Sequence, residues 1–287
     1  MPSSFDEERP LVMGILNVTP DSFSDGGEWF ESDRAIMRAH EMIAEGADIV
    51  DVGGESTRPG AEPVPADEEL RRVVPVVEAL AGSVRVSVDT TKEAVAEAAV
   101  HAGASLINDV SATLWPAAAR LGVGWVAMHR KGTAATMQRD PHYDDVAREV
   151  AAMLVDRADR ATAAGVTEVW IDPGIGFGKT VDHNLRLLGS LGDLVATGYP
   201  VMVGTSRKSF LGTLARTADG SPAPVGQRLA ASLATATWAM HQGVQMVRVH
   251  DVAATVQAAV LVGRPGADAG PGDARPRHRS SRSEVGG

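Results

Sequence analysis

LVMGILNV, Leu11 to Val18, is an uncharged run of Leu, Val, Ile and Met closed by an asparagine. A short, near-continuous apolar run of this kind is what a strand buried on both faces presents. Seven more follow: DIVDVGG from Asp48, VRVSVDT from Val84, LINDV from Leu106, WVAMH from Trp125, EVWIDPG from Glu168, PVMVGTS from Pro200 and MVRVH from Met246. Between them lie longer Ala- and Glu-rich segments with helical spacing, among them Asp33 to Glu45, Asp67 to Leu80, Lys92 to Ala102, Tyr143 to Ala164 and Gln227 to Gln242. Gly46, Gly82, Gly103, Gly122, Gly165 and Gly243 sit where those helices should stop. Eight strands in eight βα units predict an α/β fold closed as a (β/α)8 TIM barrel, in preference to a doubly wound open sheet. The expected organisation is an N-terminal extension over 1–10, one barrel domain over 11–263 and a disordered tail over 264–287. That tail, RPGADAGPGDARPRHRSSRSEVGG, is rich in Gly, Pro, Ser and Arg and has no apolar period.

Composition narrows the class. The 287 residues are 44% hydrophobic and 22% charged, ordinary for a globular chain with a sizeable core. Cysteine is absent, which excludes disulfides, thiolate metal sites and cysteine nucleophiles. No run approaches the ~18 apolar residues of a membrane span. MPSSFDEERP is polar and acidic, unlike a signal peptide, so the expected location is cytoplasmic. A net charge of −10 argues against nucleic acid or an anionic membrane as partner. It leaves anionic small molecules open, because a site needs only a few cations placed together.

In such barrels the active site lies at the C-terminal strand ends. Strand one ends in Asn17, and strand two leads into Glu55, Ser56, Thr57 and Arg58. Strand three ends in Asp89, strand four in Asn108 and Asp109, strand five in His129 and strand six in Asp172. Strand seven ends in Ser206, Arg207 and Lys208, and strand eight in Arg248, His250 and Asp251. Alternation puts Arg248 and His250 on one face and Val247 and Val249 on the other. A lone strand-end Asp or Thr often only caps the next helix, and Thr90 and Asp251 are read that way. The full set is more telling. Asp89, Asn108 and Asp172 suit a flat heterocycle rich in N–H donors. Arg58, Lys208, Arg248 and His250 suit a phosphate or diphosphate.

DPGIGFGKT, Asp172 to Thr180, invites a phosphate-loop reading, but Pro173 stands where a Walker A glycine is required. It is read instead as a flexible strand-to-helix loop with Phe177 as an aromatic wall. No HExxH, zinc-type histidine pair or EF-hand loop occurs, and His40, His101 and His241 fall in helical segments. Ser206 lacks a GxSxG context and is not read as a nucleophile.

Eight runs together resemble the dihydropteroate synthase family over about Leu11 to Val262. They are NVTPDSFSDGG from Asn17, DVGGESTRPGA from Asp51, SVDT from Ser87, IND from Ile107, MH at Met128 with TMQ from Thr136, DPGIGFGK, SRKSFLG from Ser206 and RVHDV from Arg248. The resemblance implies condensation of 6-hydroxymethyl-7,8-dihydropterin diphosphate with p-aminobenzoate, yielding dihydropteroate and diphosphate. It places the pterin at Asp89, Asn108, Met128, Asp172, Gly204 and Lys208. It places the diphosphate at Asn17, Thr57, Arg58, Arg248 and His250, with Mg2+ on Asn17. The p-aminobenzoate site is implied at Thr57, Pro59, Phe177, Lys208 and Ser209, and the catalytic set at Phe23, Asp25, Lys208, Arg248 and His250. Two loops, Thr19 to Gly27 and Ser56 to Pro63, are implied to close over the site, and a homodimer is implied.

The chemistry then needs no protein nucleophile. Mg2+ and the cations stabilise the departing diphosphate, carboxylates such as Asp25 stabilise the electron-poor pterin methylene, and the arylamine attacks it. The segment from Asn108 to His129 is shorter than the family pattern, which predicts a truncated fourth helix with Trp115 filling the gap. Thr205 stands where a less polar residue is expected, beside the arylamine pocket. A noncatalytic pterin-binding relative, a pterin-dependent methyltransferase and a sulfonamide-insensitive variant are the alternatives.

Overall fold

The computed structural model describes residues 9–19, 28–56 and 60–263, of residues 28–31 the backbone alone. Eight parallel strands form one sheet: β1 (Leu11–Asn17), β2 (Ile49–Gly53), β3 (Arg85–Asp89), β4 (Leu106–Asp109), β5 (Gly124–Met128), β6 (Val169–Asp172), β7 (Met202–Val203) and β8 (Met246–Val249). Their order is β6-β5-β4-β3-β2-β1-β8-β7. The remaining seam, between β6 and β7, is joined by a parallel Ile171–Val201 bridge, with the Ile171 amide donating to the Pro200 carbonyl at 3.0 Å. The sheet thereby closes into the expected (β/α)8 barrel.

Helices α1 (Glu28–Ala44), α2 (Ala66–Leu80), α3 (Glu93–Ala102), α4 (Trp115–Leu121), α5 (Val146–Ala163), α6 (Val181–Gly189), α7 (Leu191–Val195), α8 (Ser209–Leu214), α9 (Leu229–His241) and α10 (Val252–Val262) follow the strands. α4 is indeed short, at 7 residues, and Trp115 at its start packs partly buried against the core. α1 begins at Glu28, ahead of the expected Asp33. All six expected stop glycines have positive φ; at Gly103, with φ 122°, the turn follows α3 directly.

Strand alternation sorts the core into two bodies. Val12, Val50, Val86, Ile107, Ile171, Val247 and Val249 pack outward under the helices. Met13, Ile49, Leu106, Val126, Trp170, Met202 and Met246 form a separate cluster inside the barrel. They occupy its N-terminal end. Further along the same inward-facing positions the residues turn polar: Asp51, Ser87, Asp89, Asn108, Asp172 and Arg248, each buried or nearly so. Apolar filling at one end and buried polar groups at the other fix where a site can be.

Residues 1–8 of the expected 1–10 extension and the whole expected tail, 264–287, lie outside the described residues. Arg9 is described: its guanidinium holds Asp48 through two bonds of 2.7 and 3.0 Å, just ahead of β2. Among the described residues no helix is long and apolar enough to cross a membrane.

Candidate active site

Asp51, Asp89, Asn108 and Arg248 come from four different strands and meet at one point. The Arg248 guanidinium donates from Nε to Asp51 Oδ2 at 2.6 Å and from NH2 to Asp89 Oδ2 at 2.6 Å. Asn108 Nδ2 donates to the same Asp51 oxygen at 2.9 Å. The strand register makes this possible, because Gly53 is opposite Asp89, which is opposite Asn108, and a Cβ on Gly53 would sit 3.4 Å from Asp89 Cβ. Burial pushes the Asp89 carboxyl up, Arg248 opposes, and the Asp51 charge adds to the rise. Burial would pull Arg248 down, but Asp51 and Asp89 outweigh it and hold the guanidinium above its ordinary value.

Four buried polar atoms on these strands have no hydrogen-bond partner among the described residues: Asp51 Oδ1, Ser87 Oγ, Asp89 Oδ1 and Asn108 Oδ1. Unsatisfied buried acceptors are costly, about 1–3 kcal/mol each, so their concentration marks a place built to receive donors from outside. A flat heterocycle edged with N–H groups has that complement.

Asp172 and Lys208 form the opposite wall. Burial raises the Asp172 carboxyl, and the Lys208 charge opposes it. Burial pulls Lys208 down to about 8, with Asp172 opposing and Arg248 adding. Lys208 donates to the Ile175 carbonyl, and its ammonium stands 4.7 Å from the centre of the Phe177 ring. Ser209 is exposed at the first residue of α8, next to Lys208. Met128 ends β5, opposite Asp172. Gly204 lies beside Arg248: a Cβ there would sit 3.7 Å from Arg248 Cβ.

His250 accepts or donates at Nδ1 to Ser206 Oγ at 3.0 Å, and its amide donates to the same hydroxyl at 3.1 Å. Asn17 stands half-buried at the end of β1, opposite Gly53. Thus Asp89, Asn108, Met128, Asp172, Phe177, Gly204, Lys208, Arg248 and His250 gather at one barrel end with Asn17 and Ser209. Phe23, Asp25, Thr57, Arg58 and Pro59 lie outside the described residues, as do most of loop 19–27 and the centre of loop 56–63.

Several readings from the sequence change. Asp251 takes the first position before α10 but makes no cap; its carboxylate holds Arg207, at 2.5 and 3.1 Å. Thr90 caps no helix end; it turns the chain by accepting from the Lys92 amide at 3.1 Å. Asp109 faces away from the site and accepts from Ser111, Thr113, Leu114 and the Trp125 indole. Thr205 points to α9, where Thr235 donates to it at 2.9 Å, away from the arylamine side. His129, at the end of strand five, meets Lys179, whose Nζ lies 3.0 Å from its Nδ1; burial, with Lys179 beside it, pushes it down to about 3, so the ring is neutral. The 173–180 loop is not loose, since side chains meet its carbonyls. Asp51 escaped the strand-end reading because it sits one inward position before the end of β2. Its signal was present, a lone carboxylate between Val50 and Val52.

The fold and this mouth define a barrel enzyme for a donor-rich heterocycle carrying an anion. The pattern of the pterin binding enzyme family matches residues 13–250, and the chain belongs to that family. The dihydropteroate synthase of Mycobacterium leprae is 49% identical over 262 residues, 88% of this chain and 92% of that one. Among solved structures, the Xanthomonas albilineans dihydropteroate synthase with 4-aminobenzoic acid superposes with a TM-score of 0.81 at 47% identity, covering 88% of this chain and 92% of that one. The Yersinia pestis dihydropteroate synthase, in complex with a sulfonamide drug, gives 0.81 at 46% identity, covering 88% and 93%. Within the pterin-binding enzymes, this chain falls with the dihydropteroate synthases.

Proposed function

We propose that the chain condenses 6-hydroxymethyl-7,8-dihydropterin diphosphate with p-aminobenzoate, releasing 7,8-dihydropteroate and diphosphate, as a transferase of folate synthesis. The observation that carries it is the set of unpartnered acceptors on Asp89, Asn108 and Asp51 beside the Lys208 and Arg248 cations. The acceptors and Asp172 take the N–H edge of the pterin, where each buried acceptor gains the donor it lacks. Met128 and Gly204 bound the ring. Arg248 and His250, with Asn17, Thr57 and Arg58, take the diphosphate, and bidentate guanidinium contacts suit its oxygens. Phe177, Lys208 and Ser209, with Thr57 and Pro59, border the p-aminobenzoate. Phe23 and Asp25 are retained as catalytic residues on the sequence alone.

Among the described residues no three His, Asp or Glu side chains gather as a metal nest. Mg2+ is commonly held by one or two protein oxygens, substrate phosphates and waters. The Asn17 amide oxygen is a hard donor at the right strand end. Bound there with the diphosphate, Mg2+ would supply neutralisation of leaving-group charge. The chain's own cations do the same work from Lys208 and Arg248, with His250 beside them as a hydrogen-bonding group. Loops 19–27 and 56–63 exclude water, the competing nucleophile.

Location in the cytoplasm and a homodimer belong to this reading. Trp238 of α9 and Val260 and Leu261 of the adjacent α10 are exposed apolar side chains of the kind a contact between copies would cover. The test mixes purified protein, the pterin diphosphate, p-aminobenzoate and Mg2+, and follows diphosphate and dihydropteroate. Product that needs p-aminobenzoate and collapses in Lys208→Ala and Arg248→Ala supports the reading. Pterin binding by folded protein without product sinks it in favour of a noncatalytic relative.

A further inference from the structure

From Gly174 through Gly178, in the loop between β6 and α6, every backbone carbonyl accepts from a side chain. Gly174 and Phe177 accept from Lys179 Nζ at 2.9 and 3.0 Å. Ile175 accepts from Lys208, Gly176 from Gln138 Nε2 at 2.8 Å, and Gly178 from the Tyr143 hydroxyl at 2.9 Å. Loop carbonyls are ordinarily left to water. Here they form an arch whose supports are built into the protein. The arch also lies hard against the segment after β5: a Cβ on Gly174 would fall 1.9 Å from the His129 carbonyl, and one on Gly178 would fall 2.3 Å from that of Lys131.

Lys179 is the support at the centre. It is 3% exposed, and it alone of these donors serves two arch carbonyls. Its Nζ also lies 3.0 Å from His129 Nδ1. Because the His129 ring is neutral, Nδ1 can accept, so Lys179 ties the arch to the end of β5. An ammonium committed in this way is turned inward. It does not face the mouth as a phosphate-binding lysine must. The Phe177 ring stands on this arch, over the Lys208 ammonium.

We propose that Lys179 is a positioning residue for the arylamine side of the site: it fixes the arch that presents Phe177. This rests on the reading above that places p-aminobenzoate at Phe177. An ammonium meeting Gly174 and Phe177 together sets the curvature of the span between them. Loss of that centre frees the Phe177 wall while the pterin groups on β2, β3, β4 and β8 stay bonded to one another.

The test compares wild type with Lys179→Met, Gln138→Ala and Tyr143→Phe in steady-state kinetics with each substrate varied, together with direct measurement of pterin binding. Lys179→Met should raise KM for p-aminobenzoate about tenfold while KM for the pterin diphosphate and pterin affinity stay within about twofold. Gln138→Ala and Tyr143→Phe each release one arch carbonyl and should shift the same constant by less. If Lys179→Met does not fold, those two variants carry the test. Equal shifts in both Michaelis constants, or none in the arylamine constant, overturn the proposal. Wild-type protein that makes no dihydropteroate at all overturns the functional reading, and this proposal with it. Active wild type with an unmoved arylamine constant overturns this proposal alone.

Discussion

Arg248 Nε and Asp51 Oδ2 are 2.6 Å apart across the barrel interior, one from β8 and the other from the fully buried centre of β2. This pair does more than neutralise charge. The same Asp51 oxygen accepts from Asn108, so one carboxylate orients both an amide and a guanidinium of the barrel mouth. Removing one partner of a buried pair leaves the other charge uncompensated, at a cost of about 3–5 kcal/mol. Asp51→Asn should therefore lower unfolding free energy by that amount in urea titration. It should also raise KM for the pterin diphosphate about tenfold. An Asp51→Asn protein with wild-type stability and kinetics would show that Arg248 is held by Asp89 alone.

Asp109, the neighbour of Asn108, provides the contrast. Alternation turns it outward, where the Ser111, Thr113 and Leu114 amides and the Trp125 indole converge on it at 2.6 to 3.2 Å. Asp109→Ala strands several buried donors, each costing about 1–3 kcal/mol. The melting temperature should drop by well over ten degrees, taking about 2–4 °C per kcal/mol for a chain of this size. Both Michaelis constants should hold within about twofold in the protein that remains folded at low temperature. A rise in KM for the pterin would place Asp109 in the ligand set.

Arg207 occupies the left-handed region at φ 58°, between Ser206 and Lys208. Three contacts hold it there: Asp251 on its guanidinium, the Ser232 hydroxyl on its amide and Arg228 on its carbonyl. A residue with a Cβ in that conformation costs about 1–2 kcal/mol relative to glycine. Arg207→Gly and Arg207→Ala both lose the ion pair, but only the alanine keeps the strain. The glycine variant should be the more stable by about 1 kcal/mol in parallel urea titrations. Equal stability would mean the backbone is relaxed as it stands.

These three positions show what the sequence made legible. Strand number, barrel closure and the stop glycines follow from period and local chemistry, which a single segment carries. The strand-end polar groups follow because alternation along eight short strands is a local rule with a global consequence. Which neighbour of a pair faces inward was harder. Asn108 and Asp109 both end β4 and both belong to the strand-end polar set, though only Asn108 was read toward the heterocycle; the register with β3 and β5 assigns one to each side. Asp251 and Thr205 were misread for the same reason, because their partners, Arg207 and Thr235, lie 44 and 30 residues away. Asp51 was missed because its meaning depends on Arg248, 197 residues on. Lys179 received no role once Pro173 had ruled out a phosphate loop, and no local signal tells which way its ammonium turns.

Lys208 ties the site to pH. Burial lowers its ammonium from 10.5 to about 8, Asp172 opposing and Arg248 adding. The charged form, which the anionic substrates need, is therefore present below about pH 8 and lost above it. With Lys208 as the controlling group, kcat/KM should be level from neutrality toward pH 8 and then fall about tenfold per unit. Stability moves the other way. The unfolded chain keeps its lysine proton up to about 10.5, whereas the folded protein releases it near 8, so between those values the unfolded state binds more protons. Across that window this group makes the fold more stable as pH rises, and it is least favourable to folding below pH 8. Lys208→Met should then be inactive yet more stable than wild type at pH 7, with the advantage shrinking toward pH 10. Thermal melts across that range measure it directly. A Lys208→Met protein less stable than wild type at pH 7 would mean that the contacts to Ile175, Phe177 and Asp172 outweigh the cost of burying the charge.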